Sequence, residues 1–311
     1  MKRILFIINP VSGIGRQKSI EEYINAGIDR KTGQYEIAYT QHKGHAFEIS
    51  TEAAGKYDIV VAVGGDGTVN ETGRGLIGSE TALGIIPTGS GNGLARHMEI
   101  PFRIANAVKA LNNPVITPID VISMNGYYAL NMAGIGFDAH ISHKFATRRN
   151  RGPLAYMQLI TREFSKYKAC RYKMTIDGHS KELEAFLISF ANSTQYGNNI
   201  HIAPQAKVDD GLIDICLIRE FPKYTAPALL FSMIDMSIDQ NKYDSIIKAP
   251  HVSIEYHEDL QGHVDGEPVM LGKQVEVGII PLAIKVAAPP QELRQTQNIL
   301  TPLIELLPGM S

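Results

Sequence analysis

Short apolar runs alternate with helix-like segments over residues 1–120. Four of the runs have the length of buried strands, and the segments between them have helical periodicity. The expected strands are Arg3–Ile8, Tyr35–Thr40, Asp58–Val63 and Ala82–Ile86, and the expected helices lie near 16–27, 44–54, 68–77 and 103–111. Such alternation predicts a parallel sheet covered by helices on both faces.

After residue 120 the pattern changes to strands separated by turn signals. Asn125-Gly126 and Asp177-Gly178 each stand between two strand-like runs, which predicts two hairpins. The expected strands are Ile119–Met124, Tyr127–Met132, Arg171–Ile176, Leu183–Ala191, 212–218, 251–257, 262–265, 273–280 and 282–287, with helical segments near 153–167 and 224–238. The sequence therefore predicts an α/β domain over 1–120 and a β-rich antiparallel domain over 121–289. A helix over 290–311 is expected to dock back on the first domain.

Composition is that of a soluble globular chain, with 44% hydrophobic and 20% charged residues. Cys170 and Cys216 form neither a disulfide framework nor a C-x-x-C motif, so we expect a reducing, cytoplasmic setting. No apolar stretch has the length of a membrane span, which leaves peripheral association as the expected kind of membrane contact.

The net charge of −2 conceals a strongly basic segment at 143–173. This segment contains nine lysines and arginines and one acid, Glu163, for a net charge of +8 against −10 in the rest of the chain. Its apolar residues give it an amphipathic helical character, which predicts a docking surface for anionic lipid. The alternative is a solvated basic face over an ordinary buried stripe. No nucleic-acid module accompanies it, so nucleic acid is not an expected partner.

Three glycine-rich or polar loops, Asn9–Gly15, Gly64–Thr68 and Pro87–Gly93, each follow a predicted strand. Ligands of parallel sheets bind beyond the carboxyl ends of the strands, where glycines allow close approach and helix N-termini attract phosphate. Asp66 would repel phosphate unless a cation bridges them, which indicates Mg²⁺ with a nucleotide. For a single loop, the alternative is a tight turn with Asp66 or Thr68 as a helix N-cap. Three loops at one edge favour the nucleotide site.

Other nucleotide and hydrolase motifs are absent from the sequence. No G-x-x-x-x-G-K-[ST] or G-x-G-x-x-G pattern follows a strand, and Gly89-Ser90-Gly91 is not a G-x-S-x-G elbow. The histidines form no H-E-x-x-H motif, and we expect His42 and His45 to be surface or core residues rather than metal ligands.

The loops and four further motifs resemble the catalytic domain of the diacylglycerol kinase family, which includes bacterial lipid kinases and is related to sphingosine and ceramide kinases. The motifs are Asn9-Pro10-x-Ser12-Gly13-x-Gly15, Gly64-Gly65-Asp66-Gly67-Thr68-x-Asn70-Glu71, Pro87-x-Gly89-Ser90-x-Asn92, Asn131–Ala139, Asp209–Asp214 and Val264–Pro268. They span nearly the whole chain. The resemblance implies an α/β nucleotide-binding domain followed by a β-sandwich domain for the lipid substrate, and implies ATP and Mg²⁺ as cofactors.

The resemblance also assigns roles to individual residues. It implies that ATP is held by residues of the three loops, together with Thr40 at the end of the second expected strand. The cofactor-binding residues are Asn9, Pro10, Ser12, Gly13, Arg16, Thr40, Gly64, Gly65, Asp66, Gly67, Thr68, Asn70, Glu71, Gly89, Ser90 and Asn92. Asp66 would act with Mg²⁺ in catalysis, and a structural Mg²⁺ would be held by Asp210 with backbone oxygens of Lys207 and Leu212. The chain departs from the bacterial pattern at Gly93, where many members carry an aspartate.

The resemblance places the catalytic base in the Asp265-Gly266-Glu267 turn. Asp265 and Glu267 share a face if the chain is extended, and sequence alone does not rank them. Read without the family, Asp265-Gly266 is a hairpin turn like Asp177-Gly178.

The expected function is phosphoryl transfer from ATP to a lipid hydroxyl, by a cytoplasmic, peripherally membrane-associated enzyme. Phosphoryl transfer needs positioning, charge neutralisation and a base for the acceptor hydroxyl. The alternatives are a soluble kinase of the NAD-kinase type and a non-catalytic, nucleotide-regulated lipid-binding protein. A homodimer is a further expectation.

Overall fold

A computed structural model describes residues 1–12, 17–89, 91–148 and 153–294. The chain divides into two compact units. Among described residues, unit 1 comprises 1–120 and 281–294, and unit 2 comprises 121–280. The chain passes from one unit to the other within two strands, β5 (Val115–Met124) and β14 (Glu267–Ala288).

Unit 1 is built on a parallel sheet. Its strands are β1 (Lys2–Ile8), β2 (Gly33–Tyr39), β3 (Ile59–Gly64) and β4 (Ala82–Pro87), in the order β4-β3-β1-β2. Its helices are α1 (Gln17–Gly27), α2 (His45–Ala53), α3 (Asp66–Gly75), α4 (Gly93–His97) and α5 (Ile104–Ala110). Every residue of β3 and β4 is buried, because a parallel sheet is covered on both faces. The parallel α/β architecture expected from the sequence is thus confirmed.

Unit 2 is an antiparallel sheet with helices. Its further strands are β6 (Tyr127–Ala129), β7 (Met132–Gly136), β8 (Cys170–Ile176), β9 (His179–Ala185), β10 (Leu187–Ala191), β11 (Ile213–Ile218), β12 (Asp244–Ala249) and β13 (His251–Val264). The helices are α6 (Phe137–Ala146), α7 (Pro153–Phe164) and α8 (Ala226–Ile234), and short 3₁₀ turns lie at Lys223–Thr225, Ile238–Gln240 and Gln291–Leu293. The strand order of the sheet is β12-β11-β10-β7-β13-β14. Strand β8 also pairs with β13, and β9 pairs with β8. The β-rich antiparallel character of the second region is confirmed.

Two apolar clusters lie in unit 2, as the alternation along β10 illustrates. Ile188 and Phe190 belong to one cluster, and Leu187 and Ala191 belong to the other. Successive side chains of a strand point to opposite faces, so the fully buried strand β10 contributes to both.

Several boundaries differ from the sequence expectations. The expected strand Tyr127–Met132 is divided into β6 and β7, and Leu183–Ala191 is divided into β9 and β10. The segments 251–257 and 262–265 form one strand with a register shift after Glu255. Helix α6 and strand β12 were not predicted.

Strand β14 extends through residues 273–287 without the break expected at residue 281. Its end pairs in parallel with β4 in unit 1, where Lys285 lies opposite Ala82. Leu282 has a φ of 49° and donates its N–H to Asp120 Oδ1 at 2.7 Å. The last part of the stretch 121–289 therefore packs in unit 1. Of the expected C-terminal helix, residues 295–311 lie outside the described residues.

Candidate functional site

In unit 1, the loops after β1, β3 and β4 lie side by side. The Asn9 N–H donates to the Val63 carbonyl oxygen at 3.1 Å, and the Thr88 N–H donates to the Gly64 carbonyl oxygen at 3.0 Å. The carboxyl ends of parallel strands meet at one edge of a sheet, so the parallel register brings the loops together.

Side chains of the expected cofactor-binding residues connect these loops. Asn9 Nδ2 donates to Thr68 Oγ1 at 3.0 Å, and the hydroxyls of Ser12 and Thr88 lie 2.9 Å apart. Asn92 Nδ2 donates to the Gly64 carbonyl oxygen at 3.1 Å. These side chains therefore hold the loops in one arrangement.

The glycines at this edge are required by close backbone approach. A Cβ on Gly89 would lie 2.7 Å from the Gly65 Cα, and a Cβ on Gly64 would lie 2.4 Å from the Thr68 Cβ. Any larger residue at Gly89 would push two loop backbones apart.

Helix α3 begins at this edge and has glycine at its N-cap. Gly65 is extended, with φ −91° and ψ −172°, and has no side chain that could cap the helix. The first N–H groups of a helix lack intrahelical partners and carry partial positive charge, so an uncapped N-terminus attracts anions. The arrangement suits a phosphate group.

Asp66 holds the third loop in place. Its Oδ2 accepts the Asn92 N–H at 2.8 Å and its Oδ1 accepts the Gly93 N–H at 2.9 Å, at the start of α4. A Cβ on Gly91 would lie 2.6 Å from Asp66 Oδ2, so the loop passes close to the carboxylate. Asp66 thus binds the N-terminus of α4, whereas the sequence alternative had it capping α3.

The other expected cofactor-binding residues lie on the same three loops or next to them. The Thr40 N–H donates to the Ile8 carbonyl oxygen at 3.0 Å. Glu71 Oε1 accepts the Gly44 N–H at 2.9 Å and so fixes the loop before α2. Pro10 follows β1, and Gly67 and the buried Asn70 lie on α3. Gly13, Arg16 and Ser90 lie outside the described residues.

In unit 2, Asp265 and Gly266 form the two-residue turn between β13 and β14. Their φ values are 46° and 81°, as a type I′ turn requires. The Asp265 carboxylate accepts three backbone N–H groups, from Leu130 at 2.9 Å, Asn131 at 3.0 Å and Met132 at 2.9 Å. The turn residue therefore holds the connection between β6 and β7. Glu267 is half-buried at the start of β14.

Buried polar side chains after β10 support the same connection, and sequence reasoning missed them. Asn192 Nδ2 donates to the Leu130 carbonyl oxygen at 2.9 Å, and Asn131 Nδ2 donates to the Gln195 carbonyl oxygen at 3.1 Å. Ser193 donates its hydroxyl to Asn131 Oδ1. The available signal was a run of polar residues, Asn192–Gln195, directly after the mostly apolar segment Leu187–Ala191.

A lysine on β12 that sequence reasoning did not consider, Lys248, reaches the expected structural-metal loop. Asp210 Oδ1 accepts the Leu212 N–H at 3.2 Å, and Asp210 Oδ2 lies 3.1 Å from Lys248 Nζ. Lys207 is exposed and Leu212 is half-buried. The Lys248 ammonium therefore contacts the carboxylate that the resemblance gives to Mg²⁺.

A second group of metal-ligand types lies at the start of α2, where His42, His45 and Glu48 offer atoms within 4.8 Å of one another. His45 Nδ1 accepts the Gln41 N–H at 3.0 Å. In neutral imidazole the proton is then on Nε2, which leaves that atom no lone pair for a metal. The expectation that His42 and His45 are not metal ligands stays a prediction.

In the basic segment, Glu163 is the centre of an ionic cluster. Its carboxylate is 5% exposed and pairs with Lys144, with His140 at 3.1 Å and with Arg162 at 3.0 Å. Hydrogen bonds from Lys144 and His140 lower the pKa of Glu163 to about 2. Lys173 pairs with Glu255 at 2.9 Å, so part of the +8 charge is compensated within the unit. Arg149 and Arg151 lie outside the described residues.

A parallel sheet with glycine loops and a helix N-terminus at its carboxyl edge is typical of α/β proteins that bind phosphorylated ligands. Residues 3–124 match the model of the diacylglycerol kinase catalytic domain, and residues 131–288 match that of the YegS C-terminal NAD kinase beta sandwich-like domain. The chain belongs to the diacylglycerol kinase catalytic-domain family.

Known relatives agree with this membership. A probable lipid kinase YegS-like of Pseudomonas aeruginosa is 30% identical over 88% of this chain and 92% of its own length. The diacylglycerol kinase of Bacillus subtilis is 29% identical over 86% of this chain and 90% of its own length. A crystal structure from Bacillus anthracis matches with a TM-score of 0.78 and 26% identity, and covers 93% of this chain and 96% of that one.

Among the described residues, no helix has both the length and the apolar character needed to span a membrane.

Proposed function

We propose that this chain is an ATP- and Mg²⁺-dependent lipid kinase that transfers the γ-phosphate of ATP to the hydroxyl of a diacylglycerol-like lipid. The observation that carries the proposal is the edge of unit 1, where the described parts of the loops after β1, β3 and β4 lie side by side at the uncapped N-terminus of α3. The relatives named lipid kinase and diacylglycerol kinase support the lipid as acceptor.

Unit 1 would hold the nucleotide. Backbone N–H groups of Gly65–Thr68 would bind phosphate oxygens, because the close approach of Gly65 to Gly89 leaves no Cβ in the way. Asn9, Ser12 and Asn92 would keep the loops at the spacing that phosphate requires. Gly13, Arg16 and Ser90 belong to the proposed nucleotide site by sequence.

Asp66 would orient the phosphate loops and contribute a metal ligand. Carboxylate oxygens are among the ligands that Mg²⁺ prefers, and those of Asp66 lie at the start of α3, where the phosphates would bind. Bound Mg²⁺ would supply neutralisation of phosphate charge in the transition state. Gly93 supplies only its backbone N–H to this network.

Glu267 is the proposed base, and Asp265 is the proposed positioning residue. Three backbone N–H donors hold the Asp265 carboxylate against the connection between β6 and β7, so its proposed role is to fix that connection. Glu267 lies two residues further on, at the start of β14. It would take the proton of the acceptor hydroxyl as the oxygen–phosphorus bond forms.

Contact with the membrane would use the basic segment 143–173, in a cytoplasmic protein that associates peripherally. Tyr156 and Met157 are exposed on α7, as a helix that touches the lipid interface requires. Co-sedimentation with anionic vesicles should weaken when Arg148, Arg149 and Arg151 are changed to Glu. Equal binding of that variant, or binding that is indifferent to anionic lipid, would overturn this part of the proposal. Homodimerisation remains a prediction.

The acceptor is tested by incubating the purified protein with γ-labelled ATP, Mg²⁺ and a panel of diacylglycerol, phosphatidylglycerol, sphingoid base and NAD. We expect label in a lipid. Label in NAD alone would identify a soluble kinase of the NAD-kinase type. Lipid binding without any labelled product would identify a nucleotide-regulated lipid-binding protein.

A further inference from the structure

Lys248 occupies the centre of the Asp209–Asp214 loop region in unit 2. Its Nζ lies 3.1 Å from Asp210 Oδ2, 3.2 Å from Asp214 Oδ2 and 3.4 Å from the Gln205 carbonyl oxygen. The contacts with Asp210 and Gln205 are hydrogen bonds, and the contact with Asp214 is an ion pair.

Strand pairing puts the ammonium in this place. Lys248 on β12 lies directly opposite Asp214 on β11 in the antiparallel register. Directly opposite residues project to the same face of a sheet, with their Cβ atoms about 5 Å apart. The long lysine side chain then reaches past Asp214 to Asp210, and it is 35% exposed.

Asp214 explains why a cation is needed there. Its side chain is 1% exposed, and burial of a carboxylate without an opposite charge is strongly unfavourable. The Lys248 ammonium supplies that charge and pairs with both Asp210 and Asp214.

The residues do not fit a divalent ion together with Lys248. Mg²⁺ binds oxygen ligands at about 2.0–2.1 Å and Ca²⁺ at about 2.3–2.6 Å. An ion at that distance from Asp210 Oδ2 would stand close to an ammonium that is 3.1 Å from the same oxygen. The two cations would repel each other and compete for the same carboxylate.

We propose that the Lys248 ammonium is the resident cation of this loop and replaces the structural Mg²⁺ that the family resemblance implies at Lys207, Asp210 and Leu212. The inference concerns the stability of unit 2 and does not depend on the proposed kinase activity.

Thermal unfolding of the full chain, with and without excess EDTA, tests the proposal. The melting temperature of the wild type should be the same in both conditions. Lys248→Met should lower it by about 2–6 °C, because two carboxylates lose their counter-charge. The matched control Lys173→Met breaks an exposed pair with Glu255 and should change it little.

A fall in the wild-type melting temperature on chelation, or a Lys248→Met protein as stable as the wild type, would overturn the proposal. If Lys248→Met does not fold, Mn²⁺ binding followed by electron paramagnetic resonance without nucleotide gives an independent answer. Wild type and Asp210→Asn should bind the same number of Mn²⁺ ions. One ion fewer in Asp210→Asn would show a metal at the loop.

Discussion

Asp66 in unit 1 and Asp265 in unit 2 are both acidic residues whose carboxylates bind backbone N–H groups, but they lie in different local structures. Both carboxylates accept backbone N–H groups, two at Asp66 and three at Asp265. Asp66 sits at the start of a helix among glycines, whereas Asp265 occupies a hairpin turn. The chemical role of an acid therefore depends on which backbone groups converge on it, and these come from distant parts of the sequence.

The substitution with the largest expected effect is Glu267→Gln, which separates the proposed base from the neighbouring positioning residue Asp265. The variant removes the proposed proton acceptor but keeps the shape of the side chain, so kcat should fall about 10²–10⁴-fold. The melting temperature should not change. Initial rates of lipid phosphorylation and thermal unfolding measure both quantities, with the exposed Glu258→Gln as control. Normal turnover by Glu267→Gln would remove Glu267 from the mechanism.

Asp265→Asn should act on stability. Three N–H groups would lose a charged acceptor, and the free energy of unfolding should fall by about 3 kcal/mol or more. Urea unfolding measures this. Asp177→Asn is a matched control, because Asp177 occupies the same position of a type I′ turn at an exposed site, with φ 49°. If Asp265→Asn were as stable as Asp177→Asn, the hydrogen bonds accepted by Asp265 would not stabilise the fold as expected.

Gly89→Ala tests the close approach of the two glycine loops in unit 1. The new Cβ would lie 2.7 Å from the Gly65 Cα, and separation of the loops should cost about 1–3 kcal/mol. ATP affinity should fall about tenfold, as calorimetric titration would measure. Gly33→Ala is the control, since its Cβ would meet no atom closer than 3.7 Å. Unchanged ATP affinity in Gly89→Ala would argue against nucleotide binding at this edge.

Glu163 extends the comparison to an acid whose partners are side chains. Its pKa is lowered to about 2 by hydrogen bonds from Lys144 and His140. A carboxyl with a lowered folded-state pKa stabilises the fold above its unfolded pKa, and this stabilisation is lost as pH falls from about 4.5 towards 2. Glu163→Gln should therefore flatten the acid limb of the melting-temperature profile. If the melting temperature of Glu163→Gln fell at acid pH as steeply as that of the wild type, the ionic cluster around Glu163 would not stabilise the fold.

The parallel sheet of unit 1 was predictable, since its buried strands are short apolar runs between helical segments. Strand β12 was missed because only Asp244 and Ala249 of its six residues are buried, so it lacks the apolar run of a core strand. Lys248 could not be assigned from sequence, because its partner Asp214 is set by strand register. The hydrogen bonds that hold Asp265 were equally out of reach, since Leu130–Met132 donate to Asp265 across more than a hundred residues.

The proposed lipid kinase activity is tested most directly by counting ADP and phosphorylated lipid formed in the same diacylglycerol vesicles supplied with ATP and Mg²⁺. The wild type should form one ADP for each phosphorylated lipid, and folded Glu267→Gln should form almost none of either. ADP formation without phosphorylated lipid, or equal yields from the two proteins, would contradict it.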